Sequence, residues 1–512
     1  MLKTNNNITG WSKSTLKTYQ PCNIEELSTI VRTARLQKTP LYPVSKGLNW
    51  GYGSRSPVVE NCILVDLSCM NRIINADSIS YDHPIAVIEP GVTQIQLYEF
   101  LAKKLPKLTF NVTGSSIDTS IIGNALDRGI GYLGPKKNDL FGFEIITGTG
   151  EPFRTGFRRL GNDSPLSQTH PFGLGPILDG LFYQSNFGIV ANACLKLLPR
   201  QPIEVALSIQ TSNNNNFPLL IQELGRLKRE GILTSVTHLA NHTRSRATLA
   251  YGVASYLEHT CGLSKDFVSQ ETDKVLDAII SDGWTSLSVV SGTKSLVQAT
   301  LKEIRKRIRK FGQMKIITDS RLTAAYEIAH FLRFLQFFRN HAAILAAIKP
   351  LHGLVHSVPT NVGIENLLWK FNHPNMQADE LDQSSCGLLF ISPALPMDGL
   401  FIKKTITEME AIAKDFGHIL YVTVNIETDT SVVAITNLLF NRSNSEETER
   451  AHQCADALHN YLYSNKLEVY RARADMMEKI TKTNPQYWGK IYALKQIFDP
   501  DNIIAPGRYN IY

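Results

Sequence analysis

The sequence predicts an α+β chain of two domains, one inserted into the other. Three observations predict it. Residues 24 to 104 alternate helix and strand patterns, as a mixed layer of helices and sheet requires. Near residue 202 the texture changes, and long helical segments then alternate with short β-rich runs to about 455. The last segment, "WGKIYALKQIFDPDNIIAPGRYNIY", joins a helix to a Pro- and Gly-bearing tail without a core of its own, so it must return to the first part. The boundaries read this way are 1–203, 204–455 and 456–512, with the first and third stretches making one domain.

Taken in order, "IEELSTIVRTARLQ" (24–37) places Ile24, Leu27, Ile30, Val31 and Ala34 at helical spacing, and "PLYPVS" follows as a strand. "CILVDLS" (62–68) and "IAVIEPGVT" (85–93) read as strands and "QIQLYEFLAKK" (94–104) as a helix. "FGFEIITGTGEPFRTG" reads as two strands joined by a turn at Thr149-Gly150. In the second part, "TSNNNN" (211–216) is a loop, and "SLSVVSG", "GLLFISP" and "ILYVTVNIE" are strands.

With 512 residues, 43% of them hydrophobic, the chain can bury a large core. The net charge of +7 is spread, and its densest run, "KEIRKRIRK" (302–310), puts Ile304 and Ile308 on one helical face, so it reads as a solvated helix and not as a nucleic-acid site. Seven scattered cysteines without a C-x-x-C pair read as buried thiols of a reducing compartment, and no metal site is assigned. No run reaches the length of a membrane span and "MLKTNNNITG" lacks a signal pattern, so a cytoplasmic chain with no membrane or nucleic-acid partner is expected.

The chemistry concentrates in glycine-rich loops. In "YPVSKGLNWGYGSRSP" (42–57), Gly47, Gly51 and Gly53 can take backbone conformations closed to other residues and turn successive N–H groups toward an anion. Alone, a tight loop between strands explains them better. A second loop, "VTGSSIDTSIIGNALDRGIGYLGP" (112–135), and a third, "QSNFGIV" (184–190), make a bound ligand the better explanation, because ordering so much permissive backbone is costly.

Together and in this order, "PLYPVSKGLNWGYGS", "VIEPGVT", "GNALDRGIGY", "FGLGPILDGLFYQSNFGIV" and "DPDNIIAPGRY" resemble the vanillyl-alcohol oxidase and p-cresol methylhydroxylase family of flavoproteins. The resemblance implies a PCMH-type fold: an FAD-binding domain from both chain ends, and an inserted cap domain on an antiparallel sheet flanked by helices. It implies that Ser45, Lys46, Gly47, Leu48, Asn49 and Gly51 line the FAD pyrophosphate loop. Ser115, Ser116, Ser120, Gly123 and Asn124 would follow the cofactor toward its ring, Asn186, Gly188, Ile189 and Val190 would close over it, and Arg508 would stand nearby. A homodimer through the cap domain is also implied.

Departures from the family pattern shape the expected chemistry. Leu48-Asn49 stands where a linking histidine would be needed, and the matching cap strand "TVNIETDTSVVAI" (423–435) offers Thr430 and Ser431, so FAD is expected to be non-covalent. His170 and His356 are the histidines to examine, with a structural role as the ordinary reading. At the substrate end the resemblance gives Tyr470 and Arg471 of "EVYRAR" as phenol-holding partners, with Gln94 replacing a tyrosine. Arg471 is either free for an anionic substrate group or paired with an acid such as Glu427 or Asp429. Asp139, with Asn138 as rival, is the candidate near the flavin ring, and Glu427 the candidate anchor for a substrate amine.

The function implied is an FAD-dependent oxidoreductase that moves a hydride from a small polar or aromatic substrate to the flavin, with reoxidation by O2 or by an electron carrier as a dehydrogenase would use. A flavin-fold module that binds without catalysis is the reading from another class.

Overall fold

The computed structural model describes residues 3–4, 6–211 and 215–512; residues 212–214 of the expected 211–216 loop lie outside the described residues. Asn23 caps the helix Ile24–Leu36 by accepting from Glu26 N, and Leu27 and Val31 form its buried face. Strand Leu41–Val44 follows at once. It pairs in parallel with Cys62–Asp66, which also pairs in parallel with Ser14–Tyr19; Lys3–Thr4 closes the edge of this four-stranded sheet. Every residue of Cys62–Asp66 is buried, which explains its unbroken apolar run.

A second four-stranded sheet, antiparallel throughout, runs Pro152–Arg154, Leu140–Thr147, Gly188–Lys196, Ile85–Ile88. Its hairpin turns at the expected place, with Gly150 at φ 81° and Pro152 opposite Ile146. Helix Gln94–Lys104 follows Ile85–Ile88, capped by Thr93.

An eight-stranded antiparallel sheet starts at Ile203–Thr211 and takes its other strands from the chain up to Ser431–Asn441. Helices Phe217–Arg229, Gly399–Asp415 and Ser445–Ser464 bury Leu224, Ile406 and Leu458 in one core with Val424 and Leu438 of that sheet. The mixed two-part fold expected from the sequence is therefore present, but the expected boundary at 455/456 falls inside the helix Ser445–Ser464. The basic run lies on Lys294–Ile308 with Ile304 and Ile308 wholly buried, as a solvated helix requires. The cysteines depart from expectation: Cys62, Cys194, Cys386 and Cys454 are buried, whereas Cys22 and Cys69 are exposed. Among the described residues no helix is long and apolar enough to cross a membrane.

The C-terminal tail returns to the first domain through a sealed ion pair. Lys495 Nζ donates to Asp499 Oδ2 at 2.7 Å and to the carbonyls of Asn186 and Ile504 at 2.6 and 2.9 Å. Asp499 also accepts from Ile503 N and Ile504 N. With both side chains fully enclosed, the attraction acts undiluted by water, and every donor and acceptor has a partner. This clamp sets the path of "IIAPGRY", in which Leu41 N and O each bond to tail backbone.

Candidate functional site

One cleft, of about 1110 Å³ with its open mouth, is walled by segments 42–49, 119–127 and 184–190, by tail residues 505–509 and by Arg471. Of the residues expected to bind cofactor, Ser45, Lys46, Gly47, Leu48, Asn49, Ser120, Gly123, Asn124, Gly188, Ile189, Val190 and Arg508 line it. Small residues keep the walls open. At Gly123 a Cβ would lie 2.9 Å from Ser45 Oγ and 3.2 Å from Ser120 Oγ. Ser120 itself is fixed, accepting from Gly123 N at 2.9 Å and donating to the Pro90 carbonyl at 2.6 Å.

The bare backbone of 47–53 has two reasons. Gly47, Gly51 and Gly53 have φ of 71°, 75° and 121°, all in the left-handed region. Of the three only Gly47 lines the cleft, and a Cβ there would run into the Arg55 side chain at 2.5 Å. A Cβ at Gly51 would meet the Phe390 ring at 2.5 Å, and one at Gly53 would meet the Ala474 methyl at 2.8 Å, so these two glycines let the cap strand and the 470–474 segment dock on the loop.

The electrostatic centre of the cleft is Asp127, a residue that no expectation from the sequence singled out. Arg471 Nη2 donates to Asp127 Oδ2 at 2.8 Å and Asn49 Nδ2 donates at 2.9 Å; Arg508 Nη2 stands 3.4 Å away. Arg471 also donates to Asn49 Oδ1. Against the cost of burial, the two guanidiniums hold the Asp127 carboxyl below its ordinary range. The acid paired with Arg471 is therefore Asp127, not Glu427 or Asp429. Two cations against one anion leave a positive balance. Arg508 Nη1, Arg471 Nε and Asn124 Oδ1 are buried without a protein partner.

Beyond Arg471 lies a tyrosine pair. The Arg471 guanidinium sits 4.2 Å from the centre of the Tyr52 ring, and that ring stacks on Phe390 at 4.8 Å. Tyr470 and Ser392 stand close enough to Tyr52 to act on its hydroxyl, and burial pushes both tyrosines above their ordinary range. Glu427 is near enough for its charge to raise Tyr470 further, and burial raises its own carboxyl against the pull of Lys137 and Lys228. The second arginine of "EVYRAR" is structural. Wholly buried, Arg473 grips Asp475 with two bonds and donates to the Phe390 carbonyl.

Several expected site residues stand elsewhere. Gln94 is enclosed, and its amide is spent on backbone: Nε2 donates to the Thr113 and Ser116 carbonyls at 3.2 and 2.8 Å, and Oε1 accepts from Thr113 N. It anchors a loop and is wholly buried. Ser116 Oγ donates to Asn361 Oδ1 at 3.0 Å, and Ser115 bonds to Thr119, so both tie the loop in place outside the cleft wall. Asn186 is buried against the tail, donating to the Ala505 carbonyl at 3.0 Å. Asp139, like Tyr470 and Glu427, is not in the cleft lining; it sits with Asn111 and Lys136, where burial pushes its carboxyl up to about 6. His170 and His356 do not line the cleft either.

Residues 16–156 match the family model described as an FAD binding domain. The 4-cresol dehydrogenase [hydroxylating] flavoprotein subunit of Pseudomonas putida is 24% identical over 491 residues, 95% of this chain and 86% of that one. The fold superposes on 4-ethylphenol oxidase from Gulosibacter chungangensis, in its isoeugenol complex, with a TM-score of 0.81, covering 99% of this chain and 92% of that one at 22% identity. The chain is a flavoprotein of the PCMH-type FAD-binding fold. A further relative of this flavoprotein is the 1'-carboxy-chondrochloren decarboxylase of Chondromyces crocatus, 27% identical over 500 residues, 96% of this chain and 89% of that one.

The cleft of the flavoprotein fits FAD on its own terms. A surplus guanidinium charge and unpartnered buried donors suit a dianionic linker and the polar edge of a ring. Gly47 and Gly123 both line the cleft, and the lack of a Cβ lets Arg55 pack on the first and Ser45 and Ser120 on the second. Asp127 was legible as a lone acid inside "GNALDRGIGY"; Tyr52 carried no such mark.

Proposed function

We propose that this flavoprotein is an oxidoreductase that removes a hydride from a small polar or aromatic substrate, of the alcohol, amine or para-substituted phenol type, and is reoxidised by O2. One observation carries the reading: Arg471 belongs both to the wall of the FAD cleft and to the Tyr52–Tyr470 pair, so cofactor and substrate groups share one guanidinium. Bound FAD supplies the hydride acceptor.

The protein's part is binding and charge. Tyr52 and Tyr470, kept neutral by burial, present hydroxyls that hold a substrate oxygen. Arg471 and Arg508, only partly offset by Asp127, stabilise negative charge that develops beside them. Glu427, next to Tyr470, anchors a substrate amine. Non-covalent FAD is supported by a first loop that carries Leu48-Asn49 in place of a linking histidine, and by the Thr430-Ser431 pair on the cap side, where Ser431 bonds to Thr428. The homodimer would find an apolar face at Phe331, Phe334 and Phe337, each exposed at the turn between two cap helices. Unpaired cysteines support a cytoplasmic location.

The test is anaerobic mixing of the FAD-loaded protein with para-alkylphenols, para-carboxyalkylphenols, benzylic alcohols and benzylic amines, followed by admission of air. Bleaching by one class, with colour regained in air, supports the proposal; colour regained only with an added electron carrier makes it a dehydrogenase. Tyr470→Phe should lower the reduction rate by about 10²–10³ with FAD still bound. A flavin reducible by dithionite but by none of these substrates would favour the non-catalytic binding module.

A further inference from the structure

Outside the FAD cleft, three side chains aim ligand atoms at one point where the large sheet begins. His352 lies in the last turn of helix Gln336–Val355 and His356 caps it, four residues on and so on the same face. Asp319 opens the helix Asp319–Phe331, which packs beside it. His352 Nε2 and His356 Nε2 are 3.3 Å apart, and Asp319 Oδ1 lies 2.8 Å from the first and 3.6 Å from the second. We propose that Asp319, His352 and His356 bind a divalent transition-metal ion, with zinc as the best chemical fit.

The distances carry the assignment. Bonds of about 2.0–2.1 Å arranged tetrahedrally put ligand atoms about 3.3 Å apart, and the three observed edges bracket that value. An ion slightly out of the plane of the three atoms lies about 2.0 Å from each of them.

The surroundings agree. His356 Nδ1 is 3.1 Å from Glu204 Oε2, so Nδ1–H donates to the carboxylate and leaves the Nε2 lone pair facing the point, the usual support for a metal-bound imidazole. His352 is buried with Nε2 turned to Asp319 and His356, although its Nδ1 lacks the protein partner that His356 has in Glu204. Asp319 and Glu204 supply two negative charges for a dication, although the Arg200 guanidinium, which donates to the His356 carbonyl at 3.1 Å, stands close by. The Asp319 side chain is 77% exposed, which leaves the fourth position to water. Two imidazoles and a carboxylate select zinc and its neighbours over magnesium or calcium. The ion fastens two cap helices to the strand Ile203–Thr211 through Glu204.

The experiment uses untagged, FAD-loaded protein dialysed against a chelator and then titrated with zinc, and separately with cobalt. One zinc per chain is expected, with a rise in melting temperature, and a cobalt band to the red of the flavin. Asp319→Asn, His352→Gln and His356→Gln should each weaken zinc by at least about tenfold, and Glu204→Gln by about tenfold, with FAD content unchanged. Asp319 is exposed, so D319N tests the site even where a histidine variant fails to fold. No stoichiometric uptake by the unaltered protein, or uptake by D319N and H356Q as tight as its own, would overturn the proposal.

Discussion

Arg471 Nη2 donates to Asp127 Oδ2 at 2.8 Å, across 344 residues of sequence. The contact joins the C-terminal segment, the C-cap of the short helix Ile121–Leu126 and, through Asn49, the first glycine-rich loop at one carboxylate. The cleft therefore takes shape only when both chain ends have come together.

Asp127→Ala leaves two guanidiniums facing each other in the cleft. Removing one partner of a buried pair costs roughly 3–5 kcal/mol, and urea denaturation of the FAD-free protein should show a loss of that order. With FAD bound the loss should be smaller, since the anionic linker offsets the uncovered charge.

Lys495→Met strands the enclosed Asp499 carboxylate and removes the bonds to the Asn186 and Ile504 carbonyls. A loss of roughly 3–5 kcal/mol is again expected. Because Arg508 and Tyr509 ride on the same tail, limited proteolysis should cut the tail sooner, and FAD should dissociate faster than from the unaltered protein.

Asp382 carries a signed dependence on pH. It accepts from Ile8 N and Ser54 Oγ, and burial pushes its carboxyl up to about 6. An unfolded aspartate titrates near ~3.9, so the folded chain holds this proton more tightly. That contribution is full below about pH 4 and is lost as pH rises through about 6. Asp382→Asn should therefore remove roughly 1–3 kcal/mol of stability change between these pH values, seen as a flatter profile in parallel urea titrations.

Gly123→Ala puts a methyl against Ser45 Oγ and Ser120 Oγ. The two hydroxyls must shift on the cleft wall, and FAD affinity should fall by about tenfold, equal to ~1.4 kcal/mol, without loss of the fold. Fluorescence titration with FAD and far-UV circular dichroism measure the two quantities.

Much of the fold was legible because its signals are local. The helices Ile24–Leu36 and Gln94–Lys104, the hairpin at Gly150 and the return of the tail follow from periodicity, turn residues and the absence of a tail core. The loops that wall the cleft were legible through their glycines and serines. Residue roles that depend on distant partners were not. Gln94 looks like a site residue until the backbone of 113–116 folds over it, and Gly51 looks like part of an anion loop until Phe390 arrives against it. Tyr52 gained its place only through Arg471 and Tyr470. His356 was singled out from the sequence and His352 was not, and Asp319 and Glu204 join them only through the packing of two helices on a strand.

The most direct test of the central claim is uptake of FAD by the purified, folded chain, followed by acid precipitation. The account predicts a yellow protein with one FAD per chain that releases its flavin into the acid supernatant. A folded chain that retains no FAD at saturating cofactor would contradict it.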